Sequence, residues 1–334
     1  MLGTVSSLRR SSFTLATFLC LTVVLFGNSQ AMAERVLIVS ENLPDMNEVK
    51  QSLQQKLRKH TIDDFILTQQ TTYTQFLQHV QEQKPEALVL FDNKALELVR
   101  QLRSEKDPVL ARIPAFATMA LNLRESARDI PHVAGIIYEV PAFTILTQFR
   151  AISGMSLENV LVFYRKSRFE DTIREATLQL EREGIHLIAL NVEEAGTSEE
   201  AVDKFIADHL ERKWQQKDLQ AVWILLDNII LARSNFKSIW LSKAKSLGIP
   251  FVCGMQPYVS NEIKLCAFAS YPEYKDLGVQ LGDQILDYFE EGKRPEDIGL
   301  EHIVSTRQAL NVSLMKAAGW KIRDRELDAV QLIR

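Results

Sequence analysis

Cysteine is scarce in this chain, which has three cysteines in 334 residues and no C-x-x-C pair. This scarcity excludes a zinc ribbon and a disulfide-dense scaffold. Basic residues are not in excess either, because 39 Lys and Arg stand against 43 Asp and Glu, for a net charge of −4. The chain therefore has no surplus of positive charge with which to coat a nucleic acid, and we expect no nucleic-acid partner.

Sequence patterns that mark catalytic or cofactor sites are also missing. The chain contains no G-x-G-x-x-G or G-x-x-x-x-G-K loop for a nucleotide phosphate, no H-E-x-x-H and no G-x-S-x-G. Its six histidines are scattered without the spacing of metal ligands. We therefore expect no cofactor, no metal site and no catalytic residues, which makes an enzyme the least favoured class of function.

One long apolar run, residues 13–27, lies near the N-terminus. It follows the basic pair Arg9-Arg10 and precedes the small residues of Ala31-Met32-Ala33. This order predicts a secretory signal peptide of the general export type over residues 1–33, cleaved after Ala33. The run is shorter than the roughly 20 residues that a membrane span needs, which argues against a retained anchor. We therefore expect a periplasmic protein that is not integral to the membrane after cleavage.

Two cysteines, Cys253 and Cys266, remain after the predicted cleavage. The periplasm is oxidising, which allows a disulfide between them. Both also lie in apolar, strand-like runs, where buried thiols are common. The sequence leaves both arrangements open, because the distance between two cysteines cannot be read from it.

Short apolar runs alternate with amphipathic segments along the rest of the chain, and this rhythm occurs twice. Near-continuous apolar runs are typical of parallel strands that are covered on both faces. The third strand of each half ends alike, with Leu-Phe-Asp-Asn at 90–93 and Leu-Leu-Asp-Asn at 225–228. We therefore predict an α/β fold of two doubly wound parallel-sheet (Rossmann-like) lobes. The predicted strands cover 36–39, 65–67, 87–91, 113–119 and 133–139 in the first half, and 160–164, 187–190, 222–226 and 249–253 in the second.

The predicted helices show apolar residues at helical spacing. A polar tail is predicted from residue 321 to the end of the chain. The helices cover 44–59, 72–83, 94–104, 168–183, 197–213, 235–247, 273–291 and 310–319.

Candidate ligand-binding residues follow from the predicted topology, because ligands of open α/β sheets bind outside the carboxyl ends of the strands. In this chain those ends carry aromatic, amide and acidic side chains, a mixture that suits a small polar ligand with an apolar part. The candidates are Asn42, Asp92, Asn93, Met119, Tyr138, Glu139, Tyr164, Asp227, Asn228, Gln256 and Tyr271.

Several of these candidates have a purely structural alternative. Asp and Asn are good helix N-caps, so Asp92-Asn93 and Asp227-Asn228 either cap the following helices alone or cap them and also contact ligand. Tyr138 and Tyr164 either stack on a ligand or pack in the hinge.

Other conspicuous residues favour a structural role. The charged pair Arg165-Lys166 is more typical of a solvated turn than of a ligand contact. Trp214, Trp223 and Trp240 lie within helical or strand patterns, which indicates positions in the core.

The second half carries an ordered set of motifs. Gly248-Ile249-Pro250 leads into a strand, Leu277-Gly278 lies in the long helix, and the segments 291–298 and 310–320 follow it. With this order the chain resembles the substrate-binding proteins of ABC transporters, in the tryptophan/tyrosine-type family. The resemblance extends over most of the chain after the leader.

The chain departs from the family pattern at two places. Leu121-Asn122 stands where family members usually carry Asp-Pro, and residues 132–135 read His-Val-Ala-Gly instead of Asn-x-Thr-Gly. Both places lie near the expected cleft.

The resemblance implies a periplasmic binding protein of the two-lobe type I, with three crossovers near 140, 270 and 303 that form a multi-strand hinge. The first lobe would comprise residues 34–139 with 272–303, and the second lobe residues 140–271 with 304–334.

The leading hypothesis is the periplasmic solute-binding component of an ABC transporter. Its lobes would close on a small polar, amino-acid-like ligand and pass it to an inner-membrane permease. Asp92, Glu139 or Asp227 would meet the ammonium group of such a ligand. The alternative is a ligand-sensing module of the same fold that signals to a membrane receptor or kinase.

Overall fold

The computed structural model describes residues 33–323 and 327–334. The predicted signal peptide therefore lies outside the described residues, except for Ala33. No helix within these two ranges combines the length and the apolar character that crossing a membrane requires.

Fifteen strands, numbered along the described chain, form two large sheets and one small hairpin. The first sheet has six parallel strands in the order β2-β1-β3-β4-β5-β13. Its strands are β1 (Arg35–Ser40), β2 (Thr61–Ile66), β3 (Ala87–Phe91), β4 (Ala115–Thr118), β5 (Val133–Ile137) and β13 (Leu300–His302).

The second sheet has seven strands in the order β7-β6-β10-β11-β12-β14-β15, in which only the pair β12 and β14 is antiparallel. Its strands are β6 (Asn159–Tyr164), β7 (His186–Asn191), β10 (Ala221–Ile224), β11 (Phe251–Cys253), β12 (Phe268–Pro272), β14 (Thr306–Asn311) and β15 (Val330–Ile333). The hairpin consists of β8 (Lys213–Trp214) and β9 (Lys217–Asp218).

Helices cover both faces of each sheet. A π-helix over Phe236–Leu241 joins two of the shorter ones. The α-helices are α1 (Pro44–Lys56), α2 (Tyr73–Gln83), α3 (Asn93–Leu102), α4 (Leu123–Ser126), α5 (Ala142–Ser153), α6 (Lys166–Glu181), α7 (Glu199–His209), α8 (Arg233–Asn235), α9 (Ser242–Ser246), α10 (Tyr274–Glu291), α11 (Pro295–Ile298) and α12 (Val312–Ala317).

The two halves share one arrangement, because the first five strands of each sheet follow the same order, second-first-third-fourth-fifth. We refer to each sheet with the helices on it as a lobe. Helices α1 and α10 cover one face of the first sheet, and α5 and α6 cover one face of the second. The apolar cores of these two faces join into one cluster beside the passages between the sheets. The fold is therefore the predicted one: α/β, with two doubly wound lobes.

The chain passes between the sheets at three places. It leaves the first sheet after β5, returns from β12 through Glu273 to α10, and leaves again between β13 and β14. Backbone hydrogen bonds tie these passages together, since Glu273 N–H donates to the Ser305 carbonyl at 3.0 Å. Three adjacent strand-like connections are typical of a hinge between two lobes.

Several predicted elements differ from the structure. The predicted polar tail contains β15, in which Val330 packs in the core and the strand pairs with β14. The predicted helix 310–319 begins only at Val312, because Leu310 and Asn311 belong to β14. Strand β2 covers 61–66 rather than 65–67; it lies at the edge of its sheet, where polar residues face solvent. Helix α5 is not among the predicted elements.

Candidate ligand-binding site

A cavity of about 100 Å³ lies between the two lobes, beside the first passage of the chain. Residues of both lobes line it. The first lobe contributes Asn122, Leu123, Arg124, Ile137, Glu139 and His302; the passage contributes Val140, Pro141 and Ala142; and the second lobe contributes Ile145, Phe169, Thr172, Glu175, Ala176, Gln179, Trp223, Ile224, Leu225, Leu226 and Gly254.

The wall of this cavity is mostly apolar. Phe169 follows the start of α6, Trp223 lies in β10, and Ile145 projects from α5. These three side chains are nearly excluded from solvent and belong to the core cluster that joins the lobes. The sequence analysis placed Trp223 in the core, and the structure adds that it also faces the cavity.

Glu139 is a buried acidic residue in this wall. The backbone N–H of Asn122 donates to its Oε1, whereas its Oε2 is shielded from solvent and has no hydrogen-bond partner within the described chain. Burial raises the pKa of Glu139 to about 7, against the opposing effect of hydrogen bonds from backbone N–H groups. Burial disfavours a charged carboxylate unless a partner compensates it. The wall of the cavity therefore contains a carboxyl group with one buried oxygen that lacks a hydrogen-bond donor within the described chain.

The other charged groups of the wall, Arg124 and Glu175, bind each other, and His302 lies beside Arg124. Arg124 Nη1 lies 3.1 Å from Glu175 Oε2, and Arg124 Nη2 lies 3.5 Å from His302 Nε2. The pKa of His302 is lowered, first by burial and then by the charge of Arg124. The single guanidinium of the wall thus already has a carboxylate partner.

Contacts between α4 and α6 hold the lobes together beside the cavity. The side-chain amide of Asn122 donates to the Arg168 carbonyl. Arg128 Nη2 lies 3.1 Å from Asp171 Oδ2. Like the pair of Arg124 and Glu175, this ion pair joins the two lobes. These contacts exist only while the lobes are apposed, so they favour the closed arrangement.

Asp92 and Asp227 both accept from backbone N–H groups two and three residues further along the chain. Asp92 caps helix α3, whereas Asp227 caps a turn over residues 228–231, because the next helix begins only at Arg233. The prediction of a helix cap is therefore wrong for Asp227. Asp92 Oδ1 accepts from the Lys94 and Ala95 N–H groups at 2.8 and 3.0 Å. Asp227 Oδ1 accepts from the Ile229 and Ile230 N–H groups at the same two distances. The repeated Asp-Asn motif therefore makes the same pair of side-chain to backbone hydrogen bonds in both lobes, at a helix start in the first and at a turn in the second.

Asp227 also forms an ion pair with Arg165, which corrects the prediction that Arg165 lies in a solvated turn. Its Oδ2 accepts from Arg165 Nε at 2.9 Å and from Arg165 Nη2 at 2.7 Å. The Arg165 side chain is 17% exposed and that of Asp227 is 1% exposed, so Arg165 does not lie in a solvated turn. The pair joins the ends of β6 and β10, the point at which the strand order reverses and where ligands commonly bind.

The remaining candidates are spread along the edges of the two sheets. Asn93 ties the loops after β3 and β4 together, donating to the Leu121 carbonyl at 2.9 Å. Asn42 accepts from the Asn47 side chain at 2.9 Å and Asn228 is exposed. Met119 has a φ of 55° and lies against the core cluster.

Aromatic candidates gather near the hinge. Tyr138 is largely buried, which raises its pKa well above the ordinary value, with smaller effects of Glu139, Tyr274 and Tyr258. Tyr271 is buried in β12 and donates to Gln331 Oε1 at 3.2 Å.

Two further candidates lie at strand ends of the second lobe. Tyr164 and Gln256 are half-buried at the ends of β6 and β11. Of the eleven candidates, Glu139 is the one that the described cavity wall contains. The structure therefore does not gather the eleven around one cavity.

The residues that sequence reasoning missed come from elements far apart in the chain. Phe169, Glu175 and Gln179 lie on one side of α6 at helical spacing, and His302 ends β13. One signal was present, because the departure from the family pattern at Leu121-Asn122 falls on the cavity wall. Cys253 and Cys266 are both buried and free.

Comparisons with known proteins support the fold. No protein-family model matches the chain and no curated protein matches its sequence. Among solved structures, the chain is similar to an ABC domain in complex with L-Trp from Streptococcus pneumonia, at 15% identity and a TM-score of 0.59. That alignment covers 90% of this chain and 100% of the other.

Two further structures are similar over nearly their whole length. A ligand-free, open substrate-binding protein with adhesive properties from Clostridium difficile matches at 13% identity and a TM-score of 0.63, covering 90% of this chain and 99% of the other. A periplasmic ribose ABC transporter protein from Conexibacter woesei matches at 15% identity and a TM-score of 0.51, covering 85% and 94%. At such low identity the similarity establishes the two-lobe, type I periplasmic-binding-protein fold, and it does not establish a ligand.

Proposed function

We propose that the protein is the periplasmic solute-binding component of an ABC transporter, and that it holds a small polar ligand with an apolar part between its two lobes. The lobes are residues 34–139 with 272–303 and residues 140–271 with 304–334. The observation that supports this proposal best is the cavity beside the hinge, because both lobes line it and one of its lining residues, Glu139, has a buried carboxyl oxygen without a partner in the described chain.

Closure of the lobes explains how binding in this cavity would change the conformation of the protein. Arg128 and Asp171 meet across the cleft, and Asn122 bridges from the cavity wall to the backbone of α6. A ligand that contacts both lobes adds its own binding free energy to the closed state, and so shifts the hinge equilibrium towards it. The closed protein then presents a surface that differs from the open one, which is what a membrane permease needs in order to recognise the loaded form.

The ligand is small. The cavity of about 100 Å³ is below the roughly 150 Å³ of an engineered apolar cavity that binds benzene. A larger ligand needs a wider separation of the lobes than the described one. Two of the similar structures, a domain in complex with L-Trp and a substrate-binding protein, support a binding role over a catalytic one.

A thermal-shift screen tests the proposal. The full chain is produced with its leader and isolated from the periplasmic fraction, and intact mass and N-terminal sequencing show whether cleavage follows Ala33. The isolated protein is unfolded in guanidinium, freed of bound solutes, refolded and screened with amino acids, small amines, purines, peptides and sugars. A ligand at 100 times its Kd stabilises a protein by about 2.7 kcal/mol, which raises the midpoint by several degrees.

A shift with one class of solute supports the proposal and identifies the class. Absence of a shift across the panel, in protein that refolds fully by circular dichroism, contradicts solute binding at this cavity.

A further inference from the structure

We propose that the ligand of this cavity is a small monovalent organic cation: an amine with an apolar body and no carboxylate. This inference rests on the proposed solute-binding function and narrows its ligand. It departs from the amino-acid-like ligand that the sequence favours, and it follows from the charges that the folded wall presents.

The first step is the unpartnered oxygen of Glu139. Its Oε1 is held by the Asn122 backbone N–H, so the carboxyl group is fixed in position. Glu139 lines the cavity, and its Oε2 is shielded from solvent and has no hydrogen-bond partner in the described residues. A buried polar atom that lacks a partner is costly. An N–H group of a ligand supplies the missing donor, and an ammonium supplies the compensating charge as well.

The second step is the apolar and aromatic surroundings. Ile145, Phe169, Trp223 and Leu225 line the same cavity as Glu139. Such a wall favours an apolar ligand body. Aromatic faces also attract an organic cation, with indole the strongest of the natural rings.

The third step is the charge balance of the wall. The described lining contains three fully charged side chains when Glu139 is ionised: Glu139, Glu175 and Arg124. Arg124 and Glu175 compensate each other at 3.1 Å, and burial together with Arg124 lowers the pKa of His302, which keeps that ring neutral. The net charge of the wall is therefore that of Glu139. No lining cation is left to receive a ligand carboxylate, so a zwitterionic amino acid would bury its carboxylate without a partner.

Matched probes with one apolar body test this inference by titration calorimetry on the isolated, refolded protein. Isobutylamine carries the ammonium alone, valine adds a carboxylate to the same skeleton, and isobutanol has neither charge. We expect isobutylamine to bind at least about tenfold more tightly than valine or isobutanol, since only it matches the wall in charge.

The variant Glu139→Gln keeps the size and the hydrogen-bonding oxygen of the side chain but removes the charge. We expect it to weaken isobutylamine by at least about tenfold and to leave isobutanol unchanged. The matched control Glu194→Gln changes an exposed carboxylate of the second lobe and should leave all three affinities unchanged.

A pH series on the unmodified protein gives a readout that does not depend on a variant. Burial raises the pKa of Glu139 to about 7, and the charged or titratable groups that share its wall are Arg124, Glu175 and His302. Only the ionised carboxylate holds the cation, so the affinity for isobutylamine should rise about tenfold between about pH 6 and pH 8. Isobutanol should show no such rise.

The outcomes separate this inference from the proposed function. Valine binding as tightly as isobutylamine, or isobutylamine binding equally well to Glu139→Gln, overturns the cation assignment and leaves solute binding intact. If another solute class shifts the thermal midpoint and isobutylamine does not bind, the cation assignment is likewise overturned and solute binding remains supported. Absence of binding by every solute in both experiments overturns both proposals.

Discussion

At the scale of single residues, Glu139 is an acidic side chain in surroundings that disfavour its charge. It lies in an apolar wall, one of its oxygens lacks a partner among the described residues, and burial raises its pKa to about 7. A protein keeps such a group at a cost in stability, and perturbed carboxylates of this kind concentrate at functional sites. The cost should be measurable without knowledge of the ligand.

The stability of the unliganded protein should depend on pH through Glu139. Its folded pKa of about 7 is above the ordinary 4.5, so the folded state holds the proton more tightly than the unfolded state. The resulting stabilisation is complete below about pH 4.5 and is lost as the pH rises through 7, by a total of about 3 kcal/mol. Urea unfolding at about pH 5 and pH 8 measures it.

The variant Glu139→Gln lacks this titration. It should therefore lose less stability than the unmodified protein between the two pH values, while the exposed control Glu194→Gln follows the unmodified protein. Equal losses in all three proteins would show that Glu139 is not protonated preferentially in the folded state.

The two aspartates that accept from backbone N–H groups offer a second test at this scale. Asp227→Asn and Asp92→Asn both keep an oxygen that accepts from these N–H groups, at a turn and at a helix start respectively. Only Asp227 also binds an arginine, Arg165, in a mostly buried pair. Because removal of one partner leaves the other charge buried and uncompensated, Asp227→Asn should lower the free energy of unfolding by about 3–5 kcal/mol. Asp92→Asn should lower the free energy of unfolding by much less than Asp227→Asn.

Chemical denaturation of the two variants side by side gives the comparison. Similar small losses would mean that Arg165 reaches solvent when Asp227 loses its charge, so that the pair contributes little.

At the scale of elements, the motifs that carry the family resemblance have structural explanations. Gly278 lies where α10 crosses α1, and a Cβ there would overlap the Val49 carbonyl oxygen and the Ser52 hydroxyl. Asn311 is fully buried, caps α12 by accepting from the Leu314 N–H at 3.0 Å, and donates to the Val259 carbonyl at 2.8 Å. These positions hold elements together, which is why the motifs predict the fold well and say little about the ligand.

Helix packing at Gly278 should tolerate no larger side chain. We expect Gly278→Ala to lower the free energy of unfolding by about 1–3 kcal/mol, because overpacking pushes α10 away from α1. This loss should appear although alanine favours an α-helix by about 1 kcal/mol over glycine. Thermal and urea unfolding measure the change.

The control for this helix is Val279→Ala, at the neighbouring, exposed position. It should change stability little. A stabilised Gly278→Ala would show that the two helices can separate without cost.

At the scale of the whole molecule, the contacts between α4 and α6 connect stability with ligand binding. Arg128 and Asp171 belong to different lobes and lie outside the cavity wall. Their pair therefore acts on lobe closure without touching a bound ligand. Exposed pairs of this kind contribute about 0.2–1 kcal/mol.

Removing this pair should weaken ligand binding by favouring the open state. We expect Arg128→Ala to raise the Kd for the solute identified in the screen by up to about fivefold, and to do so less at high salt, where the pair is already screened. Calorimetric titration at low and high salt measures both effects.

Lys204→Ala is the matched control, because it removes an ion pair with Asp208 inside one helix of the second lobe. Its Kd should equal that of the unmodified protein. An equal loss in both variants would mean that the effect is one of overall charge rather than of lobe closure.

The sequence by itself determined the elements and the repeated architecture of this protein. Strand and helix periods are local properties, so the apolar runs located most strands and the alternation indicated two α/β halves. The sequence also placed Asp92 and Asp227 at equivalent strand ends, where Asp92 caps a helix and Asp227 caps a turn. It failed at the tail strand β15, a short Val-Gln-Leu-Ile run within a polar segment, which pairs with β14.

Only the tertiary structure decided what the cavity is made of. Asn122, Glu139, Phe169, Trp223 and His302 meet because two lobes are apposed across three passages of the chain. Neither the burial of Glu139 nor the absence of a partner for its Oε2 in the described residues can be read from its neighbours in sequence. Both depend on how closely the lobes approach, and long-range packing sets that distance rather than any local pattern.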